Sequence, residues 1–351
     1  MCLTFVNNAW NLYVFHIYSL TSLLPYSLKY AYTVCMTILE VKNLNLGFNS
    51  EEGFCQALFD VSFTLEKGKI HTLVGESGCG KSISAMSILQ LLPKTAKITS
   101  GKILYNGEDL LLKKDIQKLR GSKIALIPQD PMTSLNPLFT IGDQLLEVIE
   151  IHQHLKGDKA YKKAVEALES VQIPCAAERM KSYPHEFSGG MKQRAIIAMA
   201  LACNAEILIA DEPTTALDVT IQAQIMNLLK DIKNNHQTSI LLITHDLALV
   251  SENADYVSVM YAGRIVENAP AEEFFKNPQH PYSQALLKSL PSNKNSRLET
   301  ITGQPPTIQQ KISGCKFHPR CSEMQEICVK NVPPAEEIGA EHICACYMRN
   351  Q

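Results

Sequence analysis

The stretch GESGCGKS, residues 75–82, constrains this chain more than any other. It fits the pattern G-x-x-x-x-G-K-[ST] and stands where that pattern has a mechanism, after the short apolar run KIHTLVG (69–75) and before the helical pattern KSISAMSILQLL (81–92). Glycines let the backbone turn so that successive amides face one anion, and the start of a helix adds its positive end. The candidate phosphate cradle is therefore Gly75, Glu76, Ser77, Gly78, Cys79 and Gly80. Lys81 would reach the β- and γ-phosphates of a nucleotide, and Ser82 would hold Mg²⁺. A glycine-rich turn with no ligand is the plain alternative.

A loop of this kind needs a parallel sheet beneath it. KIALIPQ (123–129), EILIADE (206–212) and SILLITH (239–245) are further continuous apolar runs, the pattern of strands buried on both faces. VTIQAQIMNLLKDIKNN (219–235) shows helical spacing between the last two. Ahead of the loop, ILEVKNLNLGF and ALFDVSFTLEKG alternate like half-buried antiparallel strands, the second ending in a turn at Lys67 and Gly68. From about 133 to 187 only helical pattern is found. The expected fold is α/β: a P-loop NTPase core of RecA-like type, an antiparallel β subdomain, a helical subdomain, and a small cysteine-containing C-terminal extension.

Two more stretches narrow the chemistry. ILIADEP ends in Asp211 and Glu212 at the carboxyl end of its strand, where ligands of open α/β sheets bind; Asp211 can hold Mg²⁺ and Glu212 can polarise an attacking water as general base. Two adjacent acids after a strand are otherwise an ordinary turn. FSGGMKQR (187–194) places Ser188, Gly189 and Gly190 at a helix start, a second anion cradle that one nucleotide in one subunit does not need.

With these residues, 38–290 resembles the nucleotide-binding subunit of an ATP-binding cassette (ABC) transporter. The resemblance implies two subunits facing head to tail around two ATPs, each held by the P-loop of one chain and the signature serine and glycines of the other. It implies that Gln129 contacts Mg²⁺ and couples to the membrane subunits, that Asp218 in TTALD lies at the dimer interface, and that His245 is the switch histidine of the γ-phosphate. It places Phe48 on the adenine, although a core aromatic in a strand is the competing reading. Lys81, Glu212 and His245 are the expected catalytic residues. Met191 departs from the glutamine common in the signature, without touching the phosphate contacts. QDPMTSLNPLFTIGDQLLE (129–147) and NPQHPYSQALLKSLP (277–291) are similar to the oligopeptide and dipeptide importer branch, which includes nickel importers. Implied partners are a second ATPase subunit, like or unlike, two transmembrane permeases and an extracytoplasmic solute-binding protein, with this chain on the cytoplasmic face of the membrane. A soluble ABC ATPase of DNA repair or translation lacks support from the single cassette and short insertion. A cassette that only binds ATP is disfavoured by Glu212 and His245 both being present.

Charge is balanced, Lys plus Arg 33 against Asp plus Glu 35, so nothing advertises a nucleic-acid partner. The eleven cysteines are an odd number, and those at 55, 79, 175 and 203 read as single buried-type thiols suited to a reducing compartment. The tail, 291–351, holds five of the other seven: Cys315, Cys321, Cys328 and Cys346 follow C-x5-C-x6-C-x17-C, with Cys344 able to replace the fourth. The family branch implies a [4Fe–4S] site there; zinc or free thiols are the alternatives. On this reading the tail is separate from the ATP site, and Cys321→Ser is expected to leave ATP binding intact. Residues 1–35 carry no charge before Lys29 and lack a signal-peptide pattern, with Asn7, Asn8, Asn11, His16 and Pro25 interrupting any span. They read as an extension ahead of a start at Met36, a membrane-associated helix or an extra ordered element, and a chain begun at Met36 is expected to bind ATP equally well.

Overall fold

The protein is described by a computed structural model over residues 37–51, 53–215, 217–290 and 301–349. The readings made of 1–35 lie outside the described residues.

Strands β1 (Thr37–Ser50) and β2 (Gly53–Glu66) are the two alternating segments. Next come β3 (Ile70–Val74), helix α1 (Lys81–Ile88), β4 (Ala96–Tyr105) and β5 (Glu108–Asp109). A four-stranded sheet runs β2-β1-β4-β5, with β1 and β4 antiparallel in a register that sets Leu39 against Tyr105 and Phe48 against Ala96. Its apolar face, with Leu39, Leu44, Leu58 and Phe63, shares one core with Leu73, Ile207 and Ile243 of the central sheet.

The central sheet holds β6 (Ile124–Ile127), β7 (Ile207–Asp211), β8 (Ser239–Thr244) and β9 (Tyr256–Tyr261) in the order β9-β3-β8-β7-β6, all parallel. Every residue of β3, β7 and β8 is buried, which is why these strands read as unbroken apolar runs. Strand β9 escaped that reading because Ser258 interrupts its apolar run. Ser258 is buried and hydrogen-bonded to the His71 ring and to Asn268, so its polarity is satisfied inside the sheet.

Between β6 and β7 lie α2 (Pro131–Ser134), α3 (Ile141–Gln153), α4 (Asp158–Ser170), α5 (Ala176–Arg179) and α6 (Gly189–Ala202). A capping box of Thr140 and Asp143 starts α3, and its buried stripe of Ile141, Leu145 and Ile149 meets Ala160, Ala164 and Leu168 of α4 and Ile197 of α6. Helices α7 (Val219–His236) and α8 (Leu247–Asn253) flank β8 in sequence.

After β10 (Arg264–Pro270) come α9 (Ala271–Lys276), α10 (Pro281–Lys288), α11 (Glu326–Lys330) and the strands β11 (Glu336–Gly339) and β12 (His342–Cys344). The tail extends the central sheet: β12 pairs antiparallel with β10, Glu267 opposite Cys344, and β11 closes the edge. A buried Glu267 anchors this junction, accepting from the Gln279 and His280 amides at 2.7 and 2.9 Å and meeting the His342 ring at 2.8 Å.

Candidate functional site

Register in the central sheet decides where the site forms. Val74 is level with Thr244, Ile243 with Asp211, and Ala210 with Ile127. The residues that follow, Gly75, Glu212, His245 and Gln129, therefore leave neighbouring parallel strands at one carboxyl edge. Here lies a cavity of about 600 Å³, lined by Phe48, Ser77, Gly78, Gly80, Lys81, Ser82, Gln129 and Glu212 among others.

The loop itself needs its glycines. At Gly75 φ is +154° and a Cβ would run into the Met260 carbonyl; at Gly80 φ is +111° and a Cβ would lie 2.7 Å from Leu58. Cys79 is buried behind the loop, where burial raises its pKa, and Lys81 Nζ donates to the Gly75 and Glu76 carbonyls at 2.8 and 3.1 Å. Ser82 Oγ donates to Asp211 Oδ1 at 3.0 Å. Burial raises the Asp211 pKa and the Ser82 hydrogen bond opposes the rise.

Glu212 has φ +44°, an unusual conformation for a non-glycine residue and one that re-aims the side chain at the strand end. Its amide donates to Ile243 O, and its Oε2 accepts from Gln129 Nε2 at 3.0 Å and from Thr215 Oγ1 at 2.9 Å. His245 Nδ1 lies 3.5 Å from its other oxygen. Two sequence-predicted residues, Gln129 and His245, thus meet the carboxylate of a third, Glu212.

Ser188, Gly189, Gly190 and Asp218 do not join this cavity. Ser188 caps α6, accepting from the Met191 amide at 3.3 Å, and Asp218 caps α7 through the Ile221 amide at 3.0 Å. A Cβ on Gly189 would touch Leu217 and one on Gly190 would press on Ile221, so the two loops form one surface of their own.

Sequence reasoning missed the far wall of the cavity. Phe54 and Phe59 line it, as do Pro306 to Ile312 and Lys316 of the tail. Lys316 Nζ sits 3.2 Å from the centroid of the Phe59 ring and donates to Ala262 O, and burial lowers its pKa to about 8. The tail therefore lines the same cavity as Lys81 and Ser82, against the expectation that tail and phosphate loop are separate. No spacing links residues so far apart in the chain, and only the fold brings them together.

The cysteines also sort themselves. Cys79 and Cys203 are buried as expected, Cys55 is half-buried, and Cys175 is exposed, against its reading as a buried thiol. Cys315, Cys321, Cys328 and Cys346 line one small cavity with Phe317 and His280, whereas Cys344 faces away into β12. Burial raises the pKa of Cys315 and Cys346 and pushes Cys321 up to about 11, with neighbouring thiols adding to the rise at Cys315 and Cys321. Among the described residues no group of His, Cys, Asp or Glu converges closely enough to hold a metal ion as it stands.

Comparison with known proteins agrees with this geometry. The ABC transporter family pattern matches residues 58–215, and the pattern for the oligopeptide/dipeptide transporter C-terminal region matches 266–328. The dipeptide transport ATP-binding protein DppD of Bacillus subtilis is 46% identical over 319 residues, 90% of this chain and 95% of that protein. The oligopeptide transport ATP-binding protein OppD of Escherichia coli is 45% identical over 314 residues, 88% and 93% of the two chains. The chain belongs to the ABC transporter ATP-binding family. Among solved structures, CbiO1 from Clostridium perfringens, part of an ABC transporter complex, is 29% identical with a TM-score of 0.60 over 69% of this chain and 92% of that one. A dimeric ATP-binding cassette, MJ0796, in a post-hydrolysis state bound to ADP and phosphate is 27% identical with a TM-score of 0.60, covering 66% and 98%. The family resemblance and the α/β P-loop fold are thereby established, and this member is an ATP hydrolase that takes ATP with Mg²⁺. Among the described residues no helix is long and apolar enough to cross a membrane.

Proposed function

We infer that the chain is the ATP-hydrolysing subunit of an importer for di- and oligopeptides, docked on the cytoplasmic face of the cell membrane. It would work with a second ATPase subunit, two permeases and an extracytoplasmic solute-binding protein. The reading rests on one observation above all: Gly75, Gln129, Glu212 and His245 leave adjacent parallel strands at one carboxyl edge, where Gln129 and Glu212 line the cavity with Lys81 and Ser82, in a chain whose relatives are peptide-transport ATPases.

Each residue then has a task. Amides of Ser77, Gly78 and Gly80 and the Lys81 ammonium hold the phosphates, and Phe48 offers its ring to the adenine. Bound Mg²⁺ would offset the phosphate charge; Ser82, Asp211 and Gln129 are oxygen donors of the kind it takes, and the Ser82 to Asp211 contact puts two of them side by side. Glu212 accepts a proton from the attacking water as its oxygen bonds to the γ-phosphorus and the bond to the bridging oxygen breaks. His245, 62% exposed and beside Glu212, is free to turn toward the γ-phosphate. Ser188 and Gly189 are exposed and Gly190 half-buried, all three away from this chain's own cavity, which favours their use on the partner's ATP, with Asp218 beside them. Just past Gln129, Met132, Leu138 and Phe139 are 62%, 81% and 53% exposed, an apolar surface suited to a permease.

Cys328 and Cys346 are buried and Cys315 and Cys321 half-buried around one cavity; their thiols are soft donors, and we propose that, drawn closer together than they stand here, they hold a [4Fe–4S] cluster, with zinc as the competing occupant. Protein purified without oxygen is expected to carry about four irons and four sulfides per chain; one zinc, or no metal, refutes the cluster.

The test of the whole reading is uptake. Proteoliposomes holding the chain with its second ATPase subunit and two permeases, with the solute-binding protein outside, should import labelled peptide only with ATP inside, and Lys81→Ala should abolish both uptake and ATP turnover. Peptide uptake that survives Lys81→Ala refutes it.

A further inference from the structure

The tail does more than line the nucleotide cavity. Arg320, next to Cys321, reaches the phosphate loop: its two terminal nitrogens donate to the two oxygens of Glu76 at 2.6 and 3.0 Å, a two-pronged pair between positions 244 residues apart. Arg320 Nε donates to Thr302 O at 2.9 Å, and a terminal nitrogen meets Tyr261 OH at 3.3 Å, so the guanidinium is held on three sides. The side chain is 5% exposed and Glu76 is 24% exposed. The Glu76 amide is fixed as well, donating to Tyr282 OH at 3.0 Å, and Tyr282 packs with Tyr261 and Phe317 at ring distances of 4.7 to 5.3 Å. Beyond Glu76 lies the chemistry, because its carbonyl takes a hydrogen bond from Lys81 Nζ.

A carboxylate at the second position of a phosphate cradle is an awkward neighbour for a polyanion. Held in the Arg320 fork, its charge is neutralised and both oxygens are turned toward the tail. Without the fork it would be a partly buried, unpaired anion beside the phosphates.

We propose that Arg320 is a positioning residue for ATP: by gripping Glu76 it neutralises and orients the phosphate loop, so that the cysteine-bearing tail sets nucleotide affinity. The proposal rests on ATP occupying the Lys81 cavity. It predicts a pattern that a purely structural salt bridge does not give.

The experiment measures equilibrium binding of ATP and ADP to the full chain, with melting temperature recorded for each variant. Arg320→Gln should weaken ATP binding by about tenfold, the order expected from one unit charge left facing phosphates in a partly buried site. Glu76→Gln removes the carboxylate and leaves the guanidinium charge facing the phosphates, so it should bind ATP more tightly than Arg320→Gln does, by about tenfold or more. The double variant Arg320→Gln/Glu76→Gln should recover most of the loss seen in Arg320→Gln, because no unpaired carboxylate remains. Arg320→Lys keeps the charge, loses the fork, and serves if the glutamine variant does not fold; it should show a smaller loss than tenfold with a wild-type-like melting temperature. Arg320→Gln or Arg320→Lys binding ATP as wild type does, or a double variant as weak as Arg320→Gln alone, overturns the proposal. Failure of the wild-type chain itself to bind ATP, or binding untouched by Lys81→Ala, would instead overturn the placement of ATP in this cavity.

Discussion

Glu212→Gln separates chemistry from binding with little disturbance, and the hydrogen bonds show why. Both donors to the carboxylate, Gln129 Nε2 and Thr215 Oγ1, meet the same oxygen, Oε2. A glutamine placing its carbonyl oxygen there keeps both bonds, and its amide nitrogen takes the position of Oε1, 3.5 Å from His245 Nδ1. The left-handed backbone at this residue is unchanged by the substitution, so its strain is common to both proteins. Stability should shift by no more than about 1 kcal/mol, the worth of a single hydrogen bond, and ATP affinity by no more than about threefold. The amide cannot take a proton from water. Turnover at saturating ATP should then fall by a factor on the order of 10² to 10⁴, a barrier increase of roughly 3 to 5 kcal/mol. Phosphate release under saturating ATP and Mg²⁺ reads the rate, and size-exclusion chromatography with ATP reads the trapped dimer. Turnover within threefold of wild type would refute Glu212 as the base; a tenfold loss of ATP affinity would refute the claim that the hydrogen bonds survive.

Three further outcomes follow from the geometry. Ser188→Arg in this subunit alone should impair nucleotide at the partner's phosphate loop and spare binding at this chain's Lys81; site-resolved crosslinking that shows loss at its own loop would contradict the trans arrangement. Phe48→Ala should raise the KM for ATP by roughly three- to tenfold with kcat little changed, as expected from loss of one base-stacking ring, and an unchanged KM would assign the ring to the core instead. Burial raises the Glu267 pKa, but hydrogen bonds from His342 and the Gln279 and His280 amides outweigh it and hold the pKa below the ordinary 4.5. A depressed carboxylate stabilises the fold above its unfolded pKa and loses that contribution as pH falls through the folded one. The tail junction should therefore weaken below pH 4.5, and Glu267→Gln should flatten that part of the acid melting curve.

What the sequence makes legible is what short-range chemistry dictates. The phosphate loop, the acids of β7 and the histidine after β8 each sit within a few residues of an apolar strand, so pattern places them at strand ends. Parallel register then brings them together with no further information. Ser258 shows the first limit: a buried serine paid for by two hydrogen bonds looks like a strand breaker when its partners, His71 and Asn268, are unseen. The Arg320 fork shows the second. An arginine in HPRC and a glutamate in GESG carry no mutual signal, because their contact depends on β10 delivering the tail back to the rim of the sheet and on Tyr261, Tyr282 and Phe317 packing the turn beneath it. For the same reason the cysteine spacing reads as a self-contained unit, although residues 306–312 stand in the wall of the phosphate-loop cavity. If tail and phosphate loop form one site, removing a thiol should be felt at the nucleotide. Cys321→Ser, one residue from the fork, is now expected to weaken ATP binding in the wild-type background and to change little once Arg320→Gln has broken the link. Equal effects of Cys321→Ser in the two backgrounds would mean that the tail reaches ATP by another route.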